Sequence, residues 1–145
     1  MSQFETTMYK TREAAIPLNA KNPGLLGHAV DLDVLYRLEE AQVAGEADLV
    51  VELMDLYTDD APSKMAEIRK ALGGAEGASL KRAAHNLEGS SATLGAKQMA
   101  VLCRDLQHLD HGNSIEHSRT LVSRLEDEFS QVLLAFAAER QRRFA

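Results

Sequence analysis

The sequence predicts an all-α protein: an antiparallel, up-and-down four-helix bundle preceded by an additional N-terminal helix or short leader. Three observations predict it. Apolar residues recur three and four apart along most of the chain, no stretch alternates apolar and polar residues as a half-buried strand does, and glycines punctuate the periodic segments. Short connections make neighbouring helices run in opposite directions. The length, 145 residues, suits one domain with one core.

Residues 1–30 hold no sustained period and are interrupted by Pro17, Pro23, Gly24 and Gly27, so a partly flexible leader is expected there, with one helical turn at most near residues 13–16. The bundle is expected over residues 31–142. Asp31 is placed to cap a first helix, 31–44, whose apolar positions are Leu32, Leu35, Leu38 and Val43 and whose stop is Gly45. A second helix, 47–72, sets Val50, Leu53, Met54, Tyr57, Met65, Ile68 and Leu72 along one side, with a kink or restart at Pro62 and an end at Gly73 and Gly74. A third, 78–93, carries the stripe Leu80, Ala84, Leu87, Ser91 and Leu94 before Gly95 breaks it. A fourth, 96–109, turns Met99, Leu102, Cys103, Leu106 and Leu109 inward, and the turn His111-Gly112-Asn113 closes it. The last, 114–142, buries Val122, Leu125, Phe129, Val132, Leu133 and Phe136.

Composition excludes several function classes. A formal charge of −6 argues against nucleic acid as partner, since neutralising phosphates needs a basic face. No run approaches the ~20 apolar residues that cross a bilayer, and the first residues lack the apolar core of a signal peptide, so a soluble, cytoplasmic protein with no membrane association is expected. Cys103 is the single cysteine; it allows no internal disulfide, and it is expected to be packed rather than reactive. His108, His111 and His117 with Asp110 form too loose a group to bind metal and are expected to be solvated surface.

The chemistry is expected on the third helix. His85 lies about 100° round the axis from Ala84, beside the apolar stripe, where its ring can lean over the bundle edge. Lys81 and Arg82 precede it by four and three residues, and Glu88 and Gly89 follow by three and four, so all four share its face. A glycine inside a helix costs about 1 kcal/mol relative to alanine. That cost makes sense at Gly89 if something bulky, such as a phosphoryl group, must stand beside the imidazole.

The stretch AHNLEGSSATLGA, residues 84–96, resembles the signature of histidine-containing phosphotransfer (HPt) domains, which reads approximately A-H-x-L-K-G-S-S-x-x-x-G; the likeness extends over about residues 31–138. The resemblance implies that His85 accepts a phosphoryl group from a receiver-domain aspartate and passes it to another, that Gly89 makes room, that Ser90 donates a hydrogen bond near the phosphate, and that Gln107 approaches the histidine from the adjacent helix. It implies a phosphocarrier rather than an enzyme, with no cofactor of its own, the Mg²⁺ and catalytic groups coming from the partner; a monomer is expected because one bundle can bury its own stripes. The implied partners are response-regulator receiver domains and a hybrid sensor histidine kinase. Leu32, Leu35 and Leu56 are candidates for the docking patch.

One position departs from the signature: the lysine three residues after the histidine is Glu88 here. A carboxylate there should repel a phosphoryl group, with Lys81, Arg82, Lys97 or Arg104 as the cations able to compensate, and Glu88→Lys is then expected to speed transfer. The same departure keeps a second reading open, a non-transferring HPt-like module that binds a receiver or kinase domain. A third reading, a metal-dependent helical hydrolase, rests only on the histidine group. The leader before Asp31 and the charged end QRRFA are expected to be natural termini.

Overall fold

A carboxylate that caps one helix and pairs with another fixes two elements at once, and Asp31 does this at the start of the fold. It accepts the Asp33 amide at 3.0 Å and the Lys97 ammonium at 2.7 Å, and its own amide donates to the Gly95 carbonyl at 2.8 Å. The Lys97 contact and the Asp33 amide hold its carboxyl below the usual carboxylate range.

A computed structural model describes residues 29–74, 76–109 and 115–144, and all regular structure in them is helical. Helix α1 is Leu32–Leu38, followed by a 3-10 turn, Glu39–Ala41; α2 is Leu49–Gly73, α3 Gly77–Thr93, α4 Lys97–Gln107 and α5 Ile115–Arg143. The expected leader lies outside the described residues except for Ala29 and Val30, which are buried in the core. Ser114 and the turn at residues 111–113 also lie outside them.

The first helix is shorter than its pattern predicts. Gln42 adopts extended backbone with ψ 131°, and its side-chain amide donates to the carbonyls of Val43, Glu46 and Ala47 while accepting the Leu49 amide at 2.6 Å. One side chain thus satisfies a loop that would otherwise need helical bonds. Val43, an apolar position of the expected helix, lies beyond its end and is exposed.

Asp48 caps α2 through the Val51 amide at 3.1 Å. The helix then continues through Pro62 without restarting. Pro62 lies on the exposed face, where water can take the carbonyl that proline leaves without a donor.

The core forms where α3 packs on α2 and α4, α4 on α5, and α5 back on α2, with α1 laid against α2. It is largely aliphatic, built from Leu35, Met54, Ile68, Leu87, Met99, Leu102, Leu106 and Leu125, all nearly inaccessible. Tyr57 adds an edge-to-face contact with Phe136, ring centroids 5.4 Å apart. Leu53, Leu72, Leu109 and Phe129 are only partly buried against it.

The last turn of α5 is clasped by charge. Glu139, 5% exposed, accepts from Arg142 Nη2 at 2.6 Å and Arg143 Nε at 2.9 Å. Arg143 also reaches Asp48 at 3.2 Å and pairs with Glu39. Arg142 and Arg143 hold the Glu139 carboxyl below its ordinary range despite burial.

Gly95 is the tightest point. Its φ is +81°, and a Cβ there would stand 2.7 Å from the Asp31 carbonyl oxygen and 3.0 Å from Val34 Cβ. Gly45 has φ +87° but open space around it. Gly95→Ala therefore combines backbone strain with a clash against backbone and is expected to cost about 2–4 kcal/mol, whereas Gly45→Ala carries only the strain of about 1–2 kcal/mol. Urea unfolding of the two variants checks the order; equal losses would show that the Asp31 contact yields freely.

Candidate functional site

Helix α3 divides its residues cleanly between core and water. Leu80, Ala83, Ala84, Leu87 and Ser91 are buried, and His85, one step from Ala84, is exposed. The small residues Ala83, Ala84 and Ser91 let the flanking helices come close. Ser91, which the stripe admits simply as a small residue, has a buried partner: its hydroxyl and the Tyr57 hydroxyl lie 2.9 Å apart. Burial raises the Tyr57 phenol pKa far above its ordinary value, so this is a bond between neutral groups.

The surroundings of His85 form a connected chain of polar contacts. His85 Nδ1 lies 3.2 Å from Gln107 Oε1 on α4. Gln107 Nε2 donates to Glu88 Oε1 at 2.6 Å and to the Cys103 carbonyl at 3.2 Å. The other Glu88 oxygen accepts from Arg104 Nε at 3.1 Å. Glu88 is thus engaged on both oxygens, and the Gln107 bond, followed by Arg104, lowers its pKa against the effect of desolvation.

An amide has one accepting end and one donating end. Because Gln107 directs its donor at a carboxylate and a carbonyl, its oxygen faces His85, and the imidazole must supply the proton from Nδ1. In the neutral ring the lone pair is then on Nε2, on an exposed side chain.

The remaining candidates sit as follows. A Cβ on Gly89 would meet nothing within 4 Å, so the space beside His85 on its helix face is open. Ser90 is exposed and its hydroxyl turns back to the carbonyls of Asn86 and Leu87, each at 3.3 Å. Lys81 and Arg82 are exposed on the His85 face, Arg82 lying 3.4 Å from the Ser79 hydroxyl. Of the cations considered as compensators, Arg104 meets Glu88 and Lys97 is taken by Asp31. Arg104 and the Cys103 carbonyl hold the site together across two helices, a role that spacing within α3 gives no sign of.

Leu35 is fully buried and belongs to the core, which corrects its expected place on a docking patch: α1 turns it into the core instead of toward solvent. Leu32 is half-buried against the core. Leu56 is 64% exposed, in a shallow groove between α2 and α3 with Leu53, Asp60, Ser90, Thr93 and Leu94. Cys103 is inaccessible and burial pushes its thiol up to about 12, as its place on the inward stripe predicts. Among the described residues no group of three or more His, Cys, Asp or Glu residues is arranged to hold a metal ion, and no helix is long and apolar enough to cross a membrane. His108 donates from Nδ1 to the Arg104 carbonyl at 2.8 Å, while Asp110 and His111 lie outside the described residues.

Known proteins resemble this chain in family and in fold. Residues 52–135 match the family model of the Hpt domain. The chain is similar to the crystal structure of histidine-containing phosphotransfer protein B from Pseudomonas aeruginosa, with 27% identity and a TM-score of 0.70 over 79% of this chain and 96% of that one. A histidine-containing phosphotransfer protein from maize shares the fold at 23% identity and a TM-score of 0.71, over 86% and 98% of the two chains. The HPT domain of a sensor hybrid histidine kinase from Shewanella does so at 22% and 0.65, over 79% and 96%. No curated protein sequence matches this one.

The open space at Gly89 has a measurable counterpart. Gly89→Ala adds a methyl that meets nothing and is expected to raise unfolding free energy by about 1 kcal/mol. Denaturant unfolding that shows a loss instead would mean that the glycine serves packing.

Proposed function

We propose, taking as premise that this chain belongs to the Hpt domain family, that it is a phosphorelay intermediate which accepts a phosphoryl group on His85 from one receiver-domain aspartate and passes it to another. The observation that carries the proposal is the orientation of the ring: Nδ1 held by Gln107 and Nε2 left with its lone pair on an exposed helix face. In the forward step Nε2 attacks the phosphorus of the aspartyl phosphate. The P–N bond forms, the P–O bond to the aspartate breaks, and the carboxylate leaves with the bonding pair. The imidazole becomes positively charged, and the Gln107 oxygen accepts a stronger bond from Nδ1–H as it does so. Transfer onward is the same path reversed.

Gly89 leaves room for the phosphoryl group, and Lys81, Arg82 and a rotated Ser90 hydroxyl are the groups on α3 able to approach its oxygens. The receiver is proposed to bring the Mg²⁺ and the acidic residues that hold it, so the chain is a carrier without a cofactor of its own. Receiver domains, and a hybrid sensor kinase that contains one, are its proposed partners, met in the cytoplasm by a monomer. The packing of α3 on α2, α4 on α3, α5 on α4 and α5 on α2 supports reading these four helices as an up-and-down bundle over residues 31–142. Ala29, Val30 and Arg143 also contribute to it.

Incubation with a phosphorylated receiver is expected to leave an acid-labile, base-stable label on the chain, absent from His85→Gln. Tight receiver binding without label would overturn the carrier reading in favour of a binding module.

Leu56 tests the docking side. Leu56→Asp is expected to weaken receiver binding roughly tenfold at unchanged helicity, while Leu35→Asp, in the core, is expected to unfold the protein. Unaltered binding in Leu56→Asp would place the docking surface elsewhere.

A further inference from the structure

Glutamate and lysine at position 88 are opposites in charge, and also in hydrogen bonding: a carboxylate only accepts and an ammonium only donates. The second difference acts on Gln107. Its amide can present either end to His85, and the end it presents decides which imidazole nitrogen keeps the proton. Two acceptors pull the NH2 end away from the histidine, Glu88 Oε1 at 2.6 Å and the Cys103 carbonyl at 3.2 Å. The shorter of them is charged, and charge-assisted bonds are the stronger kind.

We infer that Glu88 is a positioning residue which, through the Gln107 amide and with Arg104 as its anchor, sets His85 in the tautomer whose Nε2 is free to take the phosphoryl group. The inference rests on the proposed role of His85 but concerns a different property, the resting state of the ring. Arg104 matters because it donates to the far Glu88 oxygen at 3.1 Å. It keeps the carboxylate turned so that the near oxygen meets Gln107, and it offsets the negative charge that would otherwise face an incoming phosphate. The departure from the family signature then leaves the nucleophile oriented by a carboxylate on its own helix, one turn away.

The neutral isostere is the sharpest test. In Glu88→Gln, Arg104 can only donate, so the new amide gives Arg104 its oxygen and turns its NH2 toward Gln107. Gln107 must then face it with Oε1 and offer its NH2 to His85, which favours the proton on Nε2. Long-range proton–nitrogen NMR of the folded chain, well above the histidine titration range, reads the two tautomers directly. Relative to the parent, the ratio of Nδ1–H to Nε2–H is expected to fall roughly 3- to 10-fold with an unchanged melting curve. Adding Arg104→Met frees the new glutamine to present its oxygen to Gln107, and is expected to recover part of the ratio. A ratio indifferent to Glu88→Gln, or a double variant no different from the single, overturns the inference.

Labelling by a phosphorylated receiver, run on the same samples, separates this from the carrier reading. Slower labelling in Glu88→Gln supports the positioning role, whereas faster labelling supports simple repulsion of phosphate by Glu88 and overturns it. A parent protein that takes no label defeats the carrier reading alone, because the tautomer measurement needs no phosphate. Should Glu88→Gln fail to fold, Glu88→Met removes the acceptor without adding a donor. It is expected to shift the ratio in the same direction by a smaller factor, and no shift would overturn the inference equally.

Discussion

A side chain that works from the surface of a helix is positioned only as well as the backbone beneath it, and here that backbone is fixed by the clamping of α3 between α2 and α4. Alanine at 83 and 84 and serine at 91, all buried, keep the neighbours close, and the Tyr57–Ser91 contact sets the rotation of α3 against α2. Protein interiors are dense enough that such a helix has little freedom to roll. Because Gln107 projects from α4, its contact with His85 exists only while the α3–α4 spacing holds. The Asp31, Gly95 and Lys97 contacts lock the turn that sets this spacing. Core packing and site geometry are therefore one constraint seen from two sides.

Most of the fold was legible in the sequence because it is written in local periods. The bounds of α2, α3, α4 and α5 fall within about two residues of their apolar patterns. What escaped was set by single side chains acting out of register. Gln42 ends the first helical region by bonding a loop to itself, which no periodicity encodes. Leu35 and Leu56 are equally apolar, and only the face that each one's own helix turns to its neighbours tells core from surface.

The candidate site divides in the same way. His85 and Gly89 are recognisable from one stretch, since their spacing on a helix determines what they can share. The meaning of Glu88 is not recognisable there. Read along the helix it is an anion beside a phosphate acceptor. Read across to α4, it is an acceptor occupied by Arg104, sixteen residues on, and by Gln107, nineteen on. Charge at a position is a property of sequence, but the direction in which that charge is used is a property of packing.

The clasp at the end of α5 has a consequence for the birth of the molecule. Glu139 and Arg143 hold the loop before α2 through Asp48 and Glu39, and α5 covers faces of both α2 and α4. At synthesis rates of roughly 5–20 residues per second, the 29 residues of α5 take about 1.5–6 s to appear. Until they have been made, a chain already holding His85 and Gln107 lacks the helix that covers the aliphatic faces of α2 and α4. Glu139 and Arg143 stand in the last turn of α5, so removal of this helix leaves α1 to α4 with an uncovered aliphatic face and without the clasp on the loop before α2.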